Sequence, residues 1–244
     1  MNELSDSQAY SIGDVIVTAI AAVKEYQIVF LRTLSLWSIV IVTLSLLEIF
    51  LPKDDNVFLE ITILVLLLFT YSIFAVTIHR IVLLGDKAVP KYGFIYVSFR
   101  ALRYGISISL ITVAILYASS IPIKFLELVY SSIFGLQNDL DWVYIFIVLP
   151  FYYLFARIAL VFPAIAIDEK TDYAWSWDIT RSNGWRIAFT IGLLPWIFQL
   201  ALYYFEQLST NLLYLVATNL LYLGVLFFEV LLLSVTFRYL AIEE

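Results

Sequence analysis

The stretch ITILVLLLFTYSIFAVTI, residues 61–78, contains no charged residue. At about 1.5 Å per residue, a helix of roughly 20 apolar residues crosses the hydrocarbon core of a bilayer, which is about 30 Å thick. A strand could cross only as part of a closed barrel, whose strands alternate apolar and polar residues. This stretch does not alternate, so it predicts a transmembrane helix and an all-α fold.

Apolar stretches of similar length occur six times in the 244 residues, at 33–51, 58–82, 105–123, 142–162, 187–205 and 212–237. The composition agrees, with 63% hydrophobic and 14% charged residues and a mean hydropathy of +0.95, well outside the range of soluble domains. We expect a single membrane domain over 1–244, with an amphipathic N-terminal segment at 1–32, six transmembrane helices within 33–237 and a tail at 238–244. Residues 1–29 lack the basic start and cleavage site of a signal peptide, so the first span is expected to direct insertion.

The basic residues are divided unevenly between the two sides of the predicted spans. Twelve of the 14 Lys and Arg residues fall on the side of the termini, and Lys53 and Lys124 fall on the other side. By the positive-inside rule, both termini are predicted to be cytoplasmic.

Several classes of function are disfavoured by the residue types. The chain has no Cys and one His, His79, which excludes thiolate sites and His-pair metal sites. His79 is predicted to be an interfacial hydrogen bonder beside Arg80. We predict no catalytic residue, metal or cofactor, and no nucleic-acid partner, because a soluble basic domain is lacking.

Similar segments recur along the chain with a period near one third of its length. TIHRIVLLGD, LFARIALVFP and VTFRYLAIEE contain Arg80, Arg157 and Arg238, spaced by 77 and 81 residues. FLRTLSLW, ALRYGISIS and GWRIAFTIG contain arginines spaced by 71 and 83 residues. A near-constant period indicates a repeated unit, here three transmembrane hairpins. The alternative is that membrane helices commonly carry an arginine that reaches the lipid phosphates.

Each repeat is predicted to begin with a short cytoplasmic interfacial helix, at residues 14–30, 90–102 and 172–182, starting at Asp14, Pro90 and Asp172. Their mixed apolar, aromatic and basic residues suit the lipid headgroup region. Packing of these helices against the bundle is the open alternative. Predicted partners are membrane lipids, including anionic phospholipids, with phosphate contacts at Arg80, Arg100, Arg103, Arg181 and Arg186.

The segments HRIVLLGD (79–86) and FARIALVFPAIAIDEKTDYAWSWDITRSNGWRIAF (155–189) resemble a group of bacterial six-span inner-membrane proteins. This group includes the YciC-like proteins and the membrane domain fused to some glycerophosphodiester phosphodiesterases. The resemblance covers about residues 78–189 and implies a bacterial inner-membrane location and a six-helix fold. It implies no activity, because the phosphodiesterase chemistry of the fused proteins lies in a separate soluble barrel.

Glu229 is the costliest residue inside a predicted span, about 6 Å from the bilayer centre at 1.5 Å per residue. An unpaired charge there costs about 2.5–3.5 kcal/mol, so Glu229 is expected to face the bundle. We predict a buried ion pair with Arg157, which lies at similar depth. A proton or ion pathway is the alternative. Pro150 and Pro195 are expected to kink their spans, or alternatively to mark a broken-helix binding site.

The first functional hypothesis is a non-enzymatic scaffold or lipid and envelope homeostasis factor, with a possible membrane protein partner. The second is a small proton-coupled transporter or channel, and the third is a lipid-modifying membrane enzyme. The first two differ in one feature: a scaffold predicts a closed bundle with Glu229 paired, whereas a transporter predicts a cavity that reaches Glu229.

Overall fold

In the computed structural model, the described residues are 11–50, 57–85, 99–134, 141–209 and 211–242. Their regular structure is helical throughout, which confirms the all-α fold. Six segments are long and apolar enough to cross a membrane, namely Ile12–Phe50, Val57–Leu84, Phe99–Phe125, Leu149–Ala166, Gly184–Glu206 and Leu212–Ile242. The finer prediction, that three pairs of helices repeat one unit, stays a prediction.

The helices are α1 (Ile12–Phe50), α2 (Val57–Leu84), α3 (Phe99–Phe134), α4 (Asp141–Ile158), α5 (Val161–Ala166), α6 (Tyr173–Ile179), α7 (Gly184–Ile187), α8 (Leu194–Glu206) and α9 (Leu212–Phe237). Two π-helical segments, Ala188–Leu193 and Arg238–Ile242, continue α7 into α8 and extend α9. Helix α2 packs against α1, α3 and α9, so it forms the centre of the bundle. Helix α3 also contacts α4 and α5, and α8 packs against α9.

The predicted interfacial helix at 14–30 is not a separate element. It forms the first half of α1, which runs unbroken for 39 residues, or about 58 Å at 1.5 Å per residue. The link at 30–33 contains neither Gly nor Pro, so nothing ends the helix there. Its buried Val15 and Ala19 pack into the core, and Thr18 Oγ1 lies 3.0 Å from the Tyr239 hydroxyl.

The other two predicted interfacial helices differ in outcome. Residues 90–98 of the second lie outside the described residues, and its last four residues begin α3. The third contains the separate helix α6, which Asp172 caps by accepting a hydrogen bond of 2.7 Å from the Trp175 amide. Its place at a cytoplasmic interface stays a prediction.

The two prolines act differently. Helix α4 continues through Pro150. Pro195 lies in the first turn of α8, directly after the π-helical segment 188–193. Proline removes an N–H and crowds the preceding turn, and the wider π turn accommodates that loss. A π-helical segment thus precedes Pro195 in a continuous fifth span, and the kinks at both prolines stay predictions.

Three arginines close one end of the bundle, which we call the basic end. Arg80 donates to the Ala166 carbonyl at 3.0 Å, Arg238 donates to the Val82 carbonyl, and Arg157 donates to the Trp177 carbonyl. Ala166, Val82 and Trp177 lie in the last turns of α5, α2 and α6. Such carbonyls lack intrahelical partners and carry the negative end of the helix dipole, so each arginine caps another helix. The opposite end, which we call the acidic end, holds Glu48, Glu60 and Glu206.

Gly105 allows α3 to approach α2 closely. A Cβ built there would lie 2.7 Å from Ser72 Oγ but 3.5 Å from Ser72 Cβ. The first distance is a clash, and the second is an ordinary contact. The Ser72 hydroxyl is held by a 2.7 Å hydrogen bond to the Leu68 carbonyl.

We expect Gly105→Ala to destabilise the protein by about 1–3 kcal/mol relative to Gly224→Ala, by overpacking. Gly224 is the matched control, because its added Cβ would have no neighbour within 4 Å. The additional change Ser72→Ala removes the clashing oxygen and should recover most of the loss. Thermal unfolding in detergent measures both effects, and equal stability of the two alanine variants would contradict the close approach.

Candidate functional site: an acidic cavity in the bundle

A cavity of about 980 Å³ lies between α1, α2 and α3 on one side and α8 and α9 on the other. The π-helical segment contributes Ile191 to its wall. Most of its lining is apolar or aromatic, including Phe155 and Tyr71. Its volume is within the range of sites that hold small organic molecules.

The charged groups of this lining are all carboxylates: Glu48 from α1, Glu206 from α8 and Glu229 from α9. No Lys, Arg or His is among the described residues that line the cavity. Amides and hydroxyls supply the other polar groups, among them Gln199 and Asn219. Walls of one charge sign and low dielectric focus the field, so the cavity attracts cations.

The cavity is deepest toward the basic end. There its walls include the fully buried Ala159 and Phe162. Toward the acidic end, the lining residues Glu48, Thr112 and Leu116 are exposed. Helix α5, all six residues of which are buried, packs against α2, α3 and α9 at the closed side. The exposed part of the lining therefore lies in the middle and in the acidic half of the spans.

Glu229 faces the interior, as predicted, but its partner is not the predicted one. Its Oε2 accepts a hydrogen bond of 3.2 Å from Gln199 Nε2 on α8. Gln199 was not among the residues that the sequence indicated. A single Gln in an apolar span indicates a polar position, but the direction of the Gln199 side chain follows only from the packing of α8 on α9.

Arg157 is buried, with 4% of its surface exposed, and it binds α6. Its Nε donates to Thr180 Oγ1 at 2.7 Å and its Nη1 to the Tyr153 hydroxyl at 3.0 Å. The guanidinium also lies 4.0 Å from the centroid of the Trp177 ring, within cation–π distance. Ser176 Oγ donates to the Arg157 carbonyl at 2.8 Å, which ties α6 to α4 a second time.

The predicted Arg157–Glu229 ion pair is therefore corrected to two separate arrangements. An ion pair among the described residues joins Arg100 to Asp168 instead. Similar depth along two helices does not imply adjacency, because the side chains can leave their helices in different directions. Arg157 points to α6, and Glu229 points to the cavity.

We expect Arg157→Lys to release α6 from α4. A lysine keeps the charge but loses the planar fork that binds Thr180, Trp177 and Tyr153 together. Loss of these charged hydrogen bonds, about 1.5–3 kcal/mol each, should speed hydrogen exchange in α6 about tenfold or more. Mass spectrometry of the peptide covering 173–183 measures it, with Arg186→Lys, at an exposed position, as the control. Unchanged exchange would contradict the clamp.

The predicted lipid-contacting arginines fall into two groups. Arg103, Arg181 and Arg186 are exposed. Near the last two, Trp177 and Trp185 are also exposed, Trp185 by 74%. Arg80 and Arg100 instead bind the protein, through the Ala166 carbonyl and the Asp168 carboxylate. Phosphate contact stays a prediction for all five.

Asp168 connects the end of α5 to α3. Its φ of 65° places it in the left-handed region, and Glu169 N donates to the Ala164 carbonyl at 2.9 Å, a Schellman ending of α5. Arg100 Nε donates to Asp168 Oδ2 at 2.5 Å. This hydrogen bond, with the nearby charges of Arg100, Arg80 and Arg103, holds the pKa of Asp168 below its usual value.

A carboxyl whose pKa is lowered in the folded state stabilises the fold above its unfolded pKa. That contribution disappears as the pH falls through the lowered value. We expect Asp168→Asn to unfold at a lower temperature than the wild-type chain at neutral pH, with a difference that shrinks below about pH 4. Asn tolerates the left-handed backbone. Thermal unfolding across pH, with Glu169→Gln as the control, measures it, and a constant difference would contradict the assignment.

His79 was predicted to be interfacial, and the structure corrects this. It is fully buried, with Nδ1 2.7 Å from Ser234 Oγ and Nε2 3.5 Å from the Tyr104 hydroxyl. Tyr104 lines the cavity, but neither His79 nor Ser234 is among its lining residues. A Ser–His pair resembles part of a hydrolase site, yet this serine is buried and is not presented to a substrate.

No family model matches the chain, and searches of the curated proteins and of the solved structures also return no match. The resemblance to six-span bacterial membrane proteins therefore stays a prediction.

Proposed function

We propose that the protein is a carrier of small, partly apolar organic cations, and that it binds them in the cavity with Glu229 as the deep counter-charge. The observation that carries this proposal is the lining itself: the described residues around about 980 Å³ of largely apolar space include three carboxylates and no basic residue. An apolar wall favours the organic part of a solute, and the carboxylates favour its charge.

An organic cation suits this cavity better than a metal ion. Calcium and magnesium need six or more oxygen ligands close together. The described residues contain no cluster of three or more His, Asp or Glu able to hold a metal. The carboxylates lie instead on three helices along the cavity wall.

The scaffold hypothesis is less well supported, because it predicts a closed bundle, whereas Glu229 lines a cavity here. In a carrier, Glu229 has a role as the binding group, because a proton and the organic cation compete for its carboxylate. We propose transport without covalent chemistry on that basis.

The setting of this carrier is proposed from the charge asymmetry. We place the basic end at the cytoplasmic face of a bacterial inner membrane, with both termini inside and the cavity open to the exterior. The exposed Arg103, Arg181 and Arg186 then contact anionic phospholipid headgroups, with Trp177 and Trp185 at the level of the interface.

The test uses purified protein in liposomes and radiolabelled benzyltrimethylammonium, a permanent cation with an apolar ring. We expect counterflow uptake by the wild-type chain and a loss of about 10- to 100-fold in apparent affinity for Glu229→Gln, from removal of one charged partner. Glu60→Gln is the control, because Glu60 is absent from the cavity lining. Uptake equal to empty liposomes, or equal affinity in both variants, would overturn the proposal.

A further inference from the structure

A chain of buried hydrogen bonds joins the floor of the cavity to three helices. The Tyr104 hydroxyl on α3 lies 3.5 Å from His79 Nε2 on α2. His79 Nδ1 lies 2.7 Å from Ser234 Oγ on α9. Ser234 Oγ in turn donates to the Val230 carbonyl at 2.8 Å.

The directions of these bonds follow from the serine. Because its only hydrogen goes to the Val230 carbonyl, Ser234 Oγ accepts from His79 Nδ1–H. A neutral imidazole protonated on Nδ1 carries a lone pair on Nε2, which accepts the Tyr104 O–H. Every polar side-chain atom of this hydrogen-bond network then has a partner, and the His79 imidazole carries no charge.

The same hydrogen-bond network fixes the position of the Tyr104 ring. Tyr104 is 4% exposed and lines the cavity, with its ring centroid 5.2 Å from that of Phe162. The next residue, Gly105, permits the close approach to Ser72 that brings Tyr104 to His79. Glu229, on α9, lines the same cavity as Tyr104.

We propose that Tyr104 and Glu229 together recognise the cationic group of the solute, and that His79 is the positioning residue that holds the Tyr104 ring in place. This inference rests on the proposed function and narrows its substrate class to ammonium compounds whose charge can meet an aromatic ring. Aromatic rings bind such cations by about 1–2 kcal/mol at desolvated sites.

The first experiment reads the network directly. His79 is the single histidine of the chain, so ¹⁵N-histidine labelling in nanodiscs reports on it alone. We expect a protonated Nδ1 and an unprotonated Nε2 in the wild-type chain. Tyr104→Phe should shift the Nε2 resonance and leave Nδ1 little changed, because only the phenol is removed. A proton on Nε2, or no shift in the variant, would overturn the network.

The second experiment compares benzyltrimethylammonium with neopentylbenzene, its neutral isostere, in equilibrium binding. We expect Tyr104→Leu to weaken binding of the cation about 5- to 30-fold and to change binding of the isostere much less. His79→Leu should have the same direction of effect. His79→Gln should recover much of the loss, because its side-chain carbonyl can accept the Tyr104 O–H.

The outcomes separate this inference from the proposed function. One outcome overturns this inference alone: the wild-type chain binds the cation and Glu229→Gln weakens that binding, but Tyr104→Leu and His79→Leu leave it unchanged. If the wild-type chain does not bind the cation, both are overturned. If His79→Leu proves unfolded by thermal denaturation, the Tyr104→Leu affinity ratio and the ¹⁵N spectrum decide the question.

Discussion

The end of a helix leaves backbone carbonyls that need partners, and this constraint governs the basic end. A helix ends with four carbonyls that have no partner within it. Most soluble proteins solve this with water or glycine-based caps, whereas here Arg80, Arg157 and Arg238 each supply an N–H to the end of another helix. The guanidinium also complements the negative end of the helix dipole. These contacts allow α5 and α6, which are only six and seven residues long, to dock where isolated short helices would not form.

The arginine capping also gives the sequence similarity between segments a physical meaning. The arginines that end the even-numbered spans are buried or half-buried and serve the protein. Those near the start of the odd-numbered spans, Arg32, Arg103 and Arg186, are exposed. Two series with the same residue type thus have different roles. Spacing alone does not show which way a guanidinium turns, so the sequence does not distinguish the two roles.

The fold could be predicted because hydrophobic length is a local property. Residues 61–78 and the five similar stretches predict helices wherever they are placed, and α2 and α9 end close to the predicted positions. The site could not be predicted because it depends on rotation about helix axes. The position of a residue in the sequence sets its depth along the helix, as for Arg157 and Glu229. Only the packing shows that Arg157 contacts Trp177 and that Glu229 contacts Gln199. The cavity itself is a gap between α3 and α9, and no local sequence pattern predicts such a gap.

Charge is graded along the axis of the bundle, and the gradient bears on how a carrier of this kind would work. The acidic end and the cavity hold carboxylates, the His79 network at the floor is neutral, and the basic end holds arginines. A cation at Glu229 therefore meets a rising electrostatic barrier toward the basic end. Release on that side requires the barrier to be displaced, since passage through it is opposed by charge and by the buried Phe162. In the proposed carrier, the element at this closed side is α5, which contributes Phe162 to the cavity wall and whose end is held by Arg80.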